Sequence, residues 1–445
     1  MSSSFIRLEK RNDRWWLIDP DGRPFVSKGI NSVRFDADKI QKTSIAPYAE
    51  HSLKTHGSLS AWQRATVLQL EGWNVNTLGA WSDLGVAHAS GHGRPLTYCV
   101  ILNLGAEFVR TQARDPQQAG AWLHGLFPDV FAPEFATFVY EAADRQCREH
   151  KANPALLGWF VDNELRWGPD WRSSIELLVV FLHLPPGAPG REAAHRFLPQ
   201  RYSSINVFNA VWKTSFRSWT ELAASAEIPP PWTRAPLYAQ TTAIERARAQ
   251  AEPAFARFVA DCDAFLGVLA EEYFRITSAA LKAAAPRQLN LGCRFAYVPP
   301  APVLAAAARH VDVVSFNCYE RDPLPTVEIY GACQKPLLIG EFSFRSEDSG
   351  LPNTQGAGPW VKTQEERAAA FEHYVRRALE HPNVVGYHWF KHVDQPREGR
   401  FDGENSNYGL LTIDGKPYEP FVQTVTRVNA LAESLHDTPA PVVAG

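Results

Sequence analysis

The sequence predicts a (β/α)8 barrel, eight parallel strands each followed by a helical connector. Three observations lead there. Eight short runs are apolar nearly throughout, which suits parallel strands covered on both faces. The segments between them carry apolar residues at helical spacings of three and four. No GxGxxG-type loop follows the first run, which disfavours the open, doubly wound sheet.

The runs are "PFVSKGIN" (24–31), "NVNTLGAW" (74–81), "TYCVILNL" (97–104), "LLGWFVDNE" (156–164), "LNLGCRF" (289–295), "VDVVSFNCY" (311–319), "PLLIGEFSF" (336–344) and "VVGYHWFKH" (384–392). Between the third and fourth, "PEFATFVYEAADRQCREH" reads as a helix opened by Pro133. A long amphipathic helix covers 253–285, ahead of the fifth run. "TQEERAAAFEHYVRRALEHP" precedes the eighth, and Pro382 stops it. Eight such units closing on themselves make one domain over 1–435, large but normal for a barrel with insertions. Two excursions interrupt the alternation, at about 105–132 after the third strand and about 166–252 after the fourth. The second holds the Trp-rich "RYSSINVFNAVWKTSFRSWTEL". Barrels place reacting groups at the C-terminal ends of their strands, so both insertions are expected to border the pocket. Residues 436–445 read as a tail.

Composition narrows the function. The chain is 45% hydrophobic and 21% charged, with a formal net charge of −3 and no basic block. Nothing in it attracts nucleic acid or an anionic membrane surface. No run approaches a membrane span. The start, "MSSSFIRLEKRNDRWW", lacks the apolar segment of a secretion signal, so a cytoplasmic location is expected. The six Cys form no CxxC pair, which leaves zinc and thioredoxin-like chemistry unsupported. Aromatics reach 12%, with 14 Trp. Most of these rings are expected in the core, and some where a ligand presents flat C–H faces, as sugars do.

The strand ends carry the chemistry. Asp162, Asn163 and Glu164 close the fourth run, and Glu341 stands at the same height in the seventh. One strand-end Glu is ordinarily an ion-pair partner. Two of them, three units apart in one barrel, converge on one pocket. Facing carboxyl groups suit glycosidic cleavage: one protonates the departing oxygen, the other attacks or stabilises the oxocarbenium-like centre. Their proton affinities must then differ.

An Asn–Glu pair ending strand four with a Glu ending strand seven resembles clan A of the glycoside hydrolases, retaining (β/α)8 enzymes. That resemblance implies Glu164 as general acid/base, Glu341 as nucleophile, and Asn163 as holder of the sugar 2-hydroxyl. "PLLIGEFSF", "VVGYHWFKHVDQP" and "GRFDGENSNYGLL" look like the catalytic domain of family 50, the β-agarases. "INVFNAVWKTSFRSW" is similar to a segment shared with the family 42 β-galactosidases. The resemblance spans roughly 15–435. It implies that Trp389 stacks on sugar and that Tyr319 bonds the nucleophile. Asn31 and Trp81, at the ends of strands one and two, are further candidates to line the pocket. So are Lys391 and His392 after strand eight, and Asp402, Glu404 and Asn405 in the next polar loop.

No metal or other cofactor is expected: His388, His392 and Asp394 lack ligand spacing. The partner is an oligosaccharide. The resemblance favours a β-galactoside-type, agarase-like substrate, and the long insertion after strand four favours exo action. Another sugar specificity, transglycosylation, and a non-catalytic carbohydrate-binding barrel are the alternatives. Both carboxylates stand in place, which argues against the last. The sugar, its linkage and the oligomeric state are not legible in the sequence.

Overall fold

The computed structural model describes residues 5–438 apart from 90, 94, 113–121 and 237–238. Its central sheet holds eight parallel strands: Ser27–Ile30, Thr77–Leu78, Thr97–Ile101, Leu156–Phe160, Leu289–Asn290, Val314–Asn317, Leu337–Phe342 and Val384–Trp389. Each lies inside one of the eight apolar runs, and they are numbered first to eighth below. Neighbours in sequence are neighbours in space, and the eighth strand pairs with the first. Between the fifth and sixth, a bridge joins Phe295 to Phe316. There the Phe295 N–H donates to the Ser315 carbonyl at 3.1 Å, and the Asn317 N–H to the Phe295 carbonyl at 2.7 Å. The sheet thereby curls into a barrel. The fifth strand is shorter than its apolar run because Gly292 (φ 77°) and Arg294 (φ 50°) turn the chain out of extended geometry.

Helices cover the outside. Pro253–Ala284 packs against Pro133–Cys147 and Ala301–His310, and Gln364–Glu380 against Glu419–Asp437. Thr363 caps Gln364–Glu380 by accepting the Glu366 N–H. Among its described residues, the insertion after the fourth strand forms five helices: Leu177–Leu182, Pro189–Arg201, Ile205–Trp212, Trp219–Ala224 and Ala239–Ala251. Its Trp212, fully buried, stacks on Phe208 at 5.2 Å and meets Phe258 of the long helix at 5.1 Å. Trp62, Trp159 and Trp167 are also fully buried, so much of the Trp content is core.

One element has no counterpart among the eight apolar runs and their connectors. An antiparallel hairpin, Arg7–Arg11 with Arg14–Ile18, turns at Asn12 and Asp13, both at positive φ, and Pro24–Phe25 adds to it. Its Ile6 and Leu17 join Leu157, Leu289, Val313, Leu338 and Val385 in the barrel's inner core, which plugs the end opposite the strand-end carboxylates. At the other terminus the last helix runs to Asp437. His436 is buried there and bonds the Trp15 carbonyl at 2.9 Å, so the fold continues into the stretch expected to be a tail. Residues 439–445 of that stretch, like 113–121 of the first insertion, lie outside the described residues.

Candidate active site

The two carboxylates of "VDNE" part company. Asp162 is fully buried and turns toward the helix Leu104–Gln112, accepting the Gly105 and Ala106 N–H groups at 2.7 and 3.0 Å and the Tyr273 hydroxyl at 2.6 Å. A carboxylate suits a helix N-terminus. Burial nevertheless pushes its pKa up to about 6, against the pull of those bonds. Its work is structural.

Glu164 adopts φ 52°, a left-handed conformation that costs an ordinary residue roughly 1–2 kcal/mol. Its N–H is fixed on the carbonyls of Cys293 and Arg294, at 3.3 and 3.1 Å. The turn sends its carboxyl over the barrel mouth. There Oε1 accepts Asn317 Nδ2 at 2.8 Å, and Oε2 accepts the Trp122 indole N–H at 2.9 Å.

Glu341 is buried on the seventh strand. Its Oε1 accepts Arg294 Nη2 at 2.6 Å and its Oε2 the Tyr319 hydroxyl at 2.5 Å. Arg294 is itself fully buried, its guanidinium 4.6 Å from the Trp81 ring and 4.9 Å from Phe160. Desolvation pushes the Glu341 pKa up to about 7. Arg294 opposes that rise, the Glu164 charge adds to it, and the Tyr319 bond opposes it again. Asn317, both register partner of Glu341 and donor to Glu164, sets the two glutamates at one mouth.

The other candidates named from the sequence divide. Tyr319 meets Glu341, and Trp81 covers Arg294. Asn163 lies beside Glu164 with a buried Oδ1 that has no partner, and so offers an acceptor to a hydroxyl. Asn31 spends its amide on the scaffold: it donates to the carbonyls of Gly340 (2.8 Å) and Trp389 (3.2 Å) and accepts the Ala80 N–H (2.9 Å). Lys391 is buried in an ion pair with Asp38. Asp402 and Glu404 both grip Arg400, at 2.7 and 2.8 Å. Asn405 ties its loop to Thr354 through Nδ2, at 2.9 Å.

Two expectations need correction. Trp389 shares a strand face with Tyr387, whose hydroxyl reaches Asn429 on the last helix. It is buried against Phe421 (4.9 Å) and Phe371 (5.8 Å), and its indole donates to the Tyr408 carbonyl at 2.8 Å. It therefore packs the helix layer rather than a sugar. His392 likewise sits behind the site, 6.4 Å from both Tyr48 and Trp73, and burial lowers its pKa to about 3. Side chains alternate along a strand, so the residue after Trp389 takes the other face. Phe390 lies 6.5 Å from Trp81 and under the Arg400 guanidinium at 5.7 Å. Arg294, Asn317, Trp122 and Phe390 join the site without having been expected there. The strand-end criterion that finds the glutamates also finds Arg294 in "LGCRF" and Asn317 in "SFNCY" once it is extended beyond carboxylates. Trp122 carries no local signal. Among the described residues, no group of three or more His, Cys, Asp or Glu is placed to hold a metal ion.

A family model described as β-galactosidase, glycoside hydrolase 42, matches residues 112–329, which takes in Glu164 and stops before Glu341. β-Agarase B of Vibrio sp. (strain JT0107) is 27% identical over 495 aligned residues, covering 96% of this chain and 48% of its own. β-Agarase A of the same organism is 29% identical, at 94% and 44%. The chain resembles the family 50 agarases. It spans about half the length of these curated relatives or somewhat less. The solved agarase AgWH50C superposes with a TM-score of 0.76 at 25% identity, covering 98% of this chain and 66% of that one.

Proposed function

We propose that this protein is a retaining β-glycoside hydrolase acting from the end of β-galactoside-type, agarase-like oligosaccharides. The observation that carries the reading is the pair of strand-end carboxyls, Glu164 and Glu341, coupled across one mouth. The similarity to β-agarases supports the substrate class.

The partners of the two groups support their roles. Glu341 faces a permanent cation, Arg294, while Glu164 is held by a neutral amide and a neutral indole. The neighbouring cation favours the ionised form that a nucleophile needs, against the effect of burial, and neutral donors suit a group that gives and takes a proton. In the first step Glu341 attacks the anomeric carbon while Glu164 protonates the departing oxygen. In the second, Glu164 takes a proton from water, which displaces the Glu341 ester with a second inversion. Asn163 Oδ1, lacking a partner, accepts the 2-hydroxyl. Clamping of the insertions around Glu164, where Arg166 Nε holds the Gly125 carbonyl at 2.8 Å, walls one side and supports exo action.

The test is the first-formed product from agar-derived oligosaccharides and β-galactosides, followed by NMR. The β-anomer should appear first, and Glu341→Ala, folded, should abolish turnover. An α-anomer, or wild-type turnover in the variant, would overturn the mechanism.

A further inference from the structure

The two insertions meet beside Glu164. Trp122, from the first, donates its indole N–H to Glu164 Oε2. Arg172, from the second, reaches back to both: Nη1 donates to the Trp122 carbonyl and Nη2 to the Glu164 carbonyl, each at 2.9 Å. Asp170 fixes the guanidinium plane through Nε at 3.0 Å and Nη2 at 2.6 Å, and neither side chain of this ion pair is more than 2% exposed. Trp171 lies over that plane at 4.3 Å, with its ring 6.4 Å from the Trp122 ring. It is nonetheless 49% exposed. A large ring laid against a buried ion pair, yet half exposed, is surface rather than core.

We propose that Trp171 is the platform for the first sugar on the leaving-group side, the unit that departs when Glu164 gives up its proton. This rests on the acid/base role proposed for Glu164. Contacts run from the Glu164 carboxyl to Trp122 and from Trp122 to Trp171, on the side of the acid/base where the two insertions meet. The apolar C–H face of a pyranose matches a flat indole, and an indole has only two side-chain torsions to fix on binding. By microscopic reversibility the same platform receives an acceptor sugar. The acceptor's hydroxyl oxygen bonds the anomeric carbon, the bond from that carbon to Glu341 breaks, and the hydroxyl proton passes to Glu164.

The experiment compares Trp171→Ala with wild type on an agar-derived oligosaccharide and on the matching β-glycosyl fluoride, whose leaving group offers nothing to stack. The expected loss in kcat/KM is about tenfold on the oligosaccharide, the scale of one aromatic contact, and several times smaller on the fluoride. Transfer to an added oligosaccharide acceptor should fall relative to hydrolysis, and Trp171→Tyr should recover most of both losses. Equal losses on the two substrates, or none on either, would overturn the platform. Glu164→Gln on the same two substrates separates the causes: equal losses on both would show that the acid/base reading, not the platform, has failed.

Discussion

Removing the Arg294 charge should move the pH profile of turnover, not merely lower it. Arg294 Nη2 lies 2.6 Å from Glu341 Oε1, with both side chains almost wholly buried. Charge centres in such a pair are about 4 Å apart, and at an effective dielectric of about 20 their attraction is about 4 kcal/mol. That corresponds to roughly three pH units. Glu341 already stands at about 7 because burial outweighs its partners. In Arg294→Gln it should rise further, toward about 10. The sign follows from the role: the nucleophile must be ionised, so a higher pKa carries the acid limb of kcat/KM to higher pH. At pH 7 the ionised fraction should fall from about a half to about a thousandth, a loss of about 500-fold that alkali recovers on a dinitrophenyl β-glycoside, whose leaving group needs no proton from Glu164. The assay is kcat/KM against pH on the dinitrophenyl β-glycoside for wild type, Arg294→Gln and Arg294→Lys, the last retaining charge and shifting much less. Breaking a buried pair also costs about 3–5 kcal/mol of stability, so each profile is taken well below the variant's own melting temperature. A profile lowered equally at every pH, with its limb unmoved, would refute the reasoning.

Two further outcomes follow from the site. Glu164→Gln should lose roughly 10²–10⁴-fold on a sugar leaving group and far less on the first step with dinitrophenol, and azide should then restore turnover as the β-glycosyl azide; equal losses and no azide product would remove Glu164 from the acid/base role. Trp389→Phe should cost about 0.5–1.5 kcal/mol, the worth of one hydrogen bond, since the buried Tyr408 carbonyl loses its indole donor and keeps the Lys391 N–H. A lower Tm with KM little changed is expected, and a large rise in KM would return Trp389 to the pocket.

All eight barrel strands are legible in the sequence because a parallel strand buried on both faces must be apolar along its length. The catalytic candidates are legible because Glu164 and Glu341 interrupt that apolarity at the same end of the barrel. Trp389 and His392 mislead because the strand-eight run is apolar on both faces, so composition does not say which residues face the mouth. Only register decides, and Tyr387 bonding Asn429 reveals it. The hairpin Arg7–Ile18 escapes notice because its strands are short and its partner, the barrel floor, is far away in sequence. Trp122 reaches Glu164 across 42 positions from an irregular loop, where no periodicity marks a residue.

The anchors of the two glutamates have different origins. Glu341 is held by Arg294 and Tyr319, both at the ends of barrel strands. Glu164 is held partly by Trp122, and its carbonyl by Arg172, residues the barrel itself does not supply. The half of the site that would form the covalent bond thus rests on the barrel, while the half that would move protons rests partly on appended segments. Lineages that exchange or remodel those appendages can retune leaving-group chemistry without disturbing the nucleophile, an evolutionary modularity written into where each carboxylate finds its donors.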